Sequence, residues 1–123
     1  MIRKLLWFFA PLIGWVFAHL SFAIPVKRLR ETETLIAFRH PKPAYPFHVL
    51  LLPKKAVLSL KDLDPTDTSF LTDLYATVQV LVDEFQLPAY RLILNGGEFQ
   101  DFPHLHFHLI YNVETGSRPS IQE

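Results

Sequence analysis

The spacing of apolar and polar positions changes along the chain, and each change predicts an element. From Leu5 to Ile24 there are twenty residues without a formal charge, flanked by Arg3 and Lys4 before and Lys27, Arg28 and Arg30 after. As a helix rising about 1.5 Å per residue, this stretch would match a hydrocarbon layer about 30 Å thick. The basic run around Lys27 to Arg30 reads as a linker. Thr34 to Phe38 is β-rich and reads as a strand, ended by Pro41, Pro43 and Pro46, which cannot continue a ladder. Phe47 to Leu52 is an almost continuous apolar run closed by Pro53, Lys54 and Lys55, the pattern of a buried strand entering a basic loop.

Asp64-Pro65 then offers a capping residue and a first-turn proline. Phe70, Leu71, Leu74, Val78, Leu81, Val82 and Phe85 follow at helical spacing, which predicts one long amphipathic helix to about Gln86. Tyr90 to Leu94 reads as a strand, Asn95-Gly96-Gly97 as a turn, and His104 to Tyr111 as the last strand. The order α-β-β-α-β-β predicts an α+β fold, an antiparallel sheet with one long helix packed on it and a hydrophobic N-terminal helix in front. The boundaries are residues 1–24 for the hydrophobic helix, 25–112 for the domain and 113–123 for a short tail.

Three readings fit residues 1–24. One is a single-pass membrane anchor, weakened by Pro11, Gly14 and His19. Another is a cleaved leader, since Ser21-Phe22-Ala23 carries small residues at alternate positions. The last is a helix whose far half packs on the domain while its near half, with Trp7, Phe8, Phe9 and Trp15, lies in or on a membrane.

Composition narrows the chemistry. With 123 residues the chain has room for about one domain, and with half of them apolar it can bury a core. Twelve basic and twelve acidic residues cancel, so no global field would hold a nucleic acid by counterion release. The absence of cysteine removes disulfides, thiolate metal sites, iron–sulfur clusters and cysteine nucleophiles together.

What remains is a concentration of histidine. In Pro103-His104-Leu105-His106-Phe107-His108-Leu109-Ile110 three imidazoles alternate with apolar residues. A strand would turn His104, His106 and His108 to one face and Leu105, Phe107 and Leu109 to the other. A metal site is one reading, but same-face neighbours lie about 6.6 Å apart, so two rings and not all three could meet one ion. A second reading is a set of satisfied imidazoles without chemistry. The third is catalysis on phosphate, because a neutral imidazole is a competent nucleophile and its neighbours can donate to phosphoryl oxygens. Asn95-Gly96-Gly97, just upstream, could offer backbone N–H groups to an anion.

The run His104-Leu105-His106-Phe107-His108-Leu109-Ile110 resembles the histidine triad (HIT) signature. The likeness extends to Ile24-Pro25-Val26-Lys27, Leu35-Ile36-Ala37-Phe38, Pro43, Pro46 to Lys55, Arg91 to Asn95 and Gln100, nearly all of residues 24 to 111. The resemblance implies a domain that pairs as a homodimer and cleaves nucleoside phosphoramidates, dinucleoside polyphosphates or similar phosphoanhydrides. It implies that His106 attacks the α-phosphorus and carries a covalent nucleotidyl intermediate, that His108 contacts the phosphate, that His104 orients the row and that His48 supports the nucleophile. His108, where the transferase branch has glutamine, points to the hydrolase-like branches.

Asn95, Gly97 and Gln100 are implied phosphate-holding positions. His40 stands where nucleotide-binding members carry an acidic residue for the ribose, and Asp101 where a small hydroxyl residue often follows the glutamine. No cofactor is implied, and a divalent metal is compatible but not required. The resemblance also places Gly14 to Ala23 as a helix lining the base pocket, which favours membrane attachment, with the domain facing the cytoplasm, over cleavage of a leader.

Overall fold

The computed structural model describes residues 2–20 and 26–112. The elements in chain order are helices α1 (Ile2–Phe8) and α2 (Ala10–His19), strands β1 (Arg28–Glu31), β2 (Leu35–Arg39) and β3 (Phe47–Pro53), helix α3 (Thr68–Glu84), and strands β4 (Arg91–Leu94) and β5 (Phe107–Tyr111). Short 3₁₀ turns cover Leu60–Asp62 and Gly97–Phe99. All five strands form one antiparallel sheet in the order β1-β2-β3-β5-β4.

Strand β3 lies at the centre, and all seven of its residues are buried, which accounts for its unbroken apolar sequence. One face of the sheet presents Leu35, Ala37, Phe47, Val49, Leu51, Phe107 and Leu109 to Phe70, Leu74, Val78 and Leu81 of α3. Each buried Val, Leu or Phe among them contributes about 1.5–3 kcal/mol. The opposite face carries Ile36, Phe38, Leu50 and Leu52, which pack with Phe17 and Ile13 of α2. In this register His48 and Leu50 of β3 stand opposite Ile110 and His108 of β5. Because side chains on a strand alternate, His48 and His108 share the face that α2 partly covers.

Helix α3 begins three residues later than predicted. Asp67 is its cap, its Oδ1 accepting from the Phe70 N–H at 3.3 Å. Asp64 instead folds back on itself, accepting from the N–H and hydroxyl of Thr66 at 2.9 and 2.7 Å. Both aspartates offer a capping carboxylate, and the nearer one to the apolar periodicity takes the helix. At the other end Gln86 adopts φ 50°, and the Leu87 N–H reaches the Val82 carbonyl at 3.0 Å, a left-handed helix stop.

The basic run that reads as a linker is an edge strand. β1 pairs with β2 through an irregular register between Arg28 and Arg30. Its charges are neutralised locally: Glu31 accepts from Arg28 at 3.0 Å and Lys54 at 2.7 Å, and Arg30 pairs with Glu84. Charge on an edge strand discourages further pairing, and it also hides the strand from a hydrophobicity reading.

The expected continuous N-terminal helix is corrected to two shorter ones. The apolar stretch breaks at Phe9 into helices of 7 and 10 residues, and among the described residues no helix is long and apolar enough to cross a membrane. Pro11, at the start of α2, fits a helix beginning rather than a helix interior. The expected packing of the far half on the domain is present: Phe17 is buried, and a Cβ added at Gly14 would come within 3.1 Å of the Ala56 Cβ. The expected leader cleavage point at Ser21 to Ala23 and the tail of residues 113–123 lie outside the described residues.

Candidate active site

The last strand starts at Phe107 rather than His104, so the three alternating histidines straddle a junction between loop and strand. Their faces still alternate with Leu105, Phe107 and Leu109, which are buried in the core beneath α3. Leaving the ladder, however, separates the first ring from the other two. His104 is fully buried, stacks on Phe17 with ring centroids 4.0 Å apart, and donates from Nε2 to the Pro53 carbonyl at 2.9 Å. It fastens α2 to the end of β3 and does not join the ring cluster in the way a continuous strand would place it.

The cluster that does form brings in two histidines from β3 and the end of β2. His106 and His108 have centroids 5.1 Å apart, His48 and His108 5.1 Å, His40 and His48 4.4 Å, and His40 and His108 6.2 Å. Alternation within one strand revealed three histidines; only the pairing of β3 with β5 and the return after Arg39 show that four rings meet. His40 is held there by its own N–H donating to the His48 carbonyl at 2.9 Å.

The hydrogen bonds fix which nitrogen carries a proton. The Ala44 N–H donates to His48 Nδ1 at 3.1 Å, so the proton of a neutral His48 sits on Nε2 and is donated to His108 Nδ1 at 2.9 Å. His108 therefore presents an N–H at Nε2, a buried atom with no partner within the protein. The Lys42 N–H donates to His40 Nδ1 at 2.9 Å, leaving His40 also with a donor at Nε2. His106 has the reverse arrangement. Its Nδ1 donates to the His104 carbonyl at 2.7 Å, which leaves Nε2 as the lone pair. The site thus sets one nucleophilic nitrogen beside two N–H donors.

Electrostatics keep the support neutral. Burial lowers the pKa of His48 and His108 to about 4, with a further push on His48 from a charged His40 and on His108 from His106, His48 and His40. His104 is lowered to about 4 by burial, against the opposing effect of its bond to Pro53. His40 is lowered by burial and then by His106. Neutral rings are what the donor and acceptor pattern requires.

The remaining implied positions divide. Asn95 is half-buried at the end of β4, and Gly97 takes φ 58°, a conformation that favours glycine, at the start of the 3₁₀ turn. The Gly97 and Gln100 carbonyls accept from Arg3 at 3.3 and 3.1 Å, so α1 is tied to this loop. The Gln100 side chain is buried, and its amide donates to the Leu58 and Phe102 carbonyls at 2.8 and 2.9 Å. Its N–H groups are engaged in shaping the loop and not in reaching an anion. Asp101 is exposed. Among the described residues no group of three or more histidine, aspartate or glutamate side chains is arranged to hold a metal ion.

The chain and its fold are similar to known proteins. A family model described as HIT domain matches residues 21–114. An uncharacterized HIT-like protein of Chlamydia muridarum is 31% identical over 98 residues, covering 77% of this chain and 78% of the relative. A bis(5'-nucleosyl)-tetraphosphatase [asymmetrical] of Schizosaccharomyces pombe is 39% identical over 86 residues, 65% of this chain but 46% of its own length. Among solved structures, a HIT family hydrolase from Clostridium thermocellum superposes with a TM-score of 0.72 at 28% identity, covering 85% of this chain and 95% of the other. One from Legionella pneumophila gives 0.71 at 26% identity, covering 83% and 91%.

Proposed function

Since the chain belongs to the HIT domain family, we propose that it is a nucleotide hydrolase that cleaves a phosphoramidate or phosphoanhydride through a covalent bond between His106 and the nucleotidyl phosphorus. The observation that carries this reading is the opposed tautomers: a lone pair at His106 Nε2 next to an N–H at His108 Nε2. The lone pair of His106 forms the P–N bond while the bond to the leaving group breaks, its electrons departing with the leaving atom, which takes a proton from solvent water. The ring becomes cationic during attack, and the His104 carbonyl, already accepting from Nδ1, stabilises that charge. His108 and His40 donate to oxygens where negative charge gathers. Water then attacks phosphorus, the P–N bond breaks, and His106 recovers its lone pair as the water proton leaves.

The tetraphosphatase relative favours including polyphosphate substrates in the test. Wild-type protein mixed with adenosine phosphoramidate or diadenosine tetraphosphate and quenched rapidly is expected to show a nucleotidyl adduct by intact mass. His106→Ala is expected to form none and to lose activity by about 10⁴ or more while remaining folded. Hydrolysis by His106→Ala at the wild-type rate would overturn the mechanism. Saturable nucleotide binding without turnover in the wild type would replace it with a binding module.

The proposal extends to assembly and place. β4 is a sheet edge with one side unpaired among the described strands, which supports pairing with a second copy. Light scattering tests it, a dimer being the expected result. The protein attaches at a membrane surface with the domain facing the cytoplasm.

A further inference from the structure

The N-terminal helices pose a physical problem that the catalytic reading leaves untouched. Their inner side is docked on the domain through Gly14 and Phe17 of α2 and through the bonds from Arg3 of α1 to the loop carbonyls. Their outer side is Leu5, Phe8, Phe9, Leu12 and Trp15, between 44% and 77% exposed. Leu5 and Phe8 share a face of α1 by their three-residue spacing, and Leu12 and Trp15 share a face of α2 in the same way. A surface helix ordinarily turns polar side chains outward, whereas here both faces are apolar and one of them is uncovered.

Charge identifies the occupant. The first thirty residues carry five basic residues and no acidic one; Arg28 and Arg30 pair with Glu31 and Glu84 and Arg3 bonds the loop carbonyls, so Lys4 and Lys27 carry the charge of this surface. Lys4 and Lys27 are exposed at either end of the segment. A second copy would bring the same apolar face and the same cations, Lys4 and Lys27, matching the first and repelling the second. An anionic lipid surface answers both the apolar face and the flanking cations. The helices are about 10 and 15 Å long against an apolar layer of about 30 Å, so they fit the interface plane and not a crossing.

We infer that α1 and α2 dock this protein on anionic lipid bilayers, with Leu5, Phe8, Leu12 and Trp15 entering the acyl boundary and Lys4 and Lys27 at the headgroups. The docking is independent of the reaction assigned to His106. It also has a route to the site, because the same helices hold His104 through Phe17 and the Gly97–Gln100 loop through Arg3.

The test is co-sedimentation of the full chain with vesicles of phosphatidylcholine alone or mixed with phosphatidylglycerol. Wild-type protein is expected to pellet with the anionic vesicles, and to be released by high salt or by omission of phosphatidylglycerol. Phe8→Asp with Leu12→Asp, at two exposed positions outside the ring cluster, is expected to cut binding by about tenfold or more. It should leave the circular dichroism spectrum and phosphoramidate hydrolysis in solution unchanged. Wild-type protein that stays in the supernatant with every vesicle overturns the proposal. So does a wild-type dimer in solution that the double variant converts to monomer, which would make a second copy the occupant. Neither result touches the assignment of His106, which the quenched-adduct experiment reads separately.

Discussion

His48 Nε2 lies 2.9 Å from His108 Nδ1, joining the central strand to the last one by a bond between two imidazoles. The bond does more than link strands, since it decides that the free nitrogen of His108 is a donor. His48→Ala removes it and lets His108 present either tautomer. The expected result is a fall in kcat of about 10–100-fold with little change in KM, the size usual for groups that orient a reacting residue. His48→Gln, which returns an N–H near the position of Nε2, should recover part of the loss. Equal kcat in all three proteins would show that the bond has no part in turnover.

Acid should destabilise the fold. His48, His104 and His108 titrate near 4 in the folded chain and near 6.5 when unfolded. As pH falls below about 6.5 the unfolded chain takes up protons that the folded chain refuses, so stability is full above that pH and declines toward 4. Each group contributes a slope of up to about 1.4 kcal/mol per pH unit inside the window. Glu31, held low by Lys54, adds its own loss only below its ordinary 4.5. Urea midpoints at about pH 7.5, 5.5 and 4.5 check the prediction. An unchanged midpoint would contradict it.

Phe17→Ala should cost about 3–5 kcal/mol, because a buried ring is lost and the face of His104 is opened. Thermal unfolding measures the loss. A change below about 1 kcal/mol would mean that α2 is not docked as described.

Gln86→Gly should stabilise the protein by about 1 kcal/mol, since φ 50° penalises a side chain that glycine does without. Chemical denaturation of the two proteins is sufficient. A glycine variant less stable than wild type would place the end of α3 elsewhere.

The fold was legible in the sequence wherever burial leaves a regular apolar pattern. β3, covered on both faces, appears as a plain apolar run, and α3 as a regular stripe. β1 was missed because Arg28, Arg30 and Glu31 reach stability through ion pairs that hydropathy does not register. Twenty uncharged residues looked membrane-scale because length and charge do not show a break at Phe9. For the site, alternation exposed His104, His106 and His108, yet it assigned them one row. In the fold His104 stacks on Phe17 instead; the family resemblance implies His48 beside the nucleophile, whereas the contact of His40 with the cluster follows only from the return of the chain after Arg39.

The imidazoles of His40, His48 and His106 are each set by a main-chain group, the amides of Lys42 and Ala44 and the carbonyl of His104. Ordinary substitutions change side chains and leave such groups in place, so most replacements of Lys42, Ala44 or His104 would keep the tautomers. Proline at position 44 is different, for it deletes the amide itself. The protonation pattern is in that sense inherited from the path of the chain, and drift in the surrounding side chains has little hold on it.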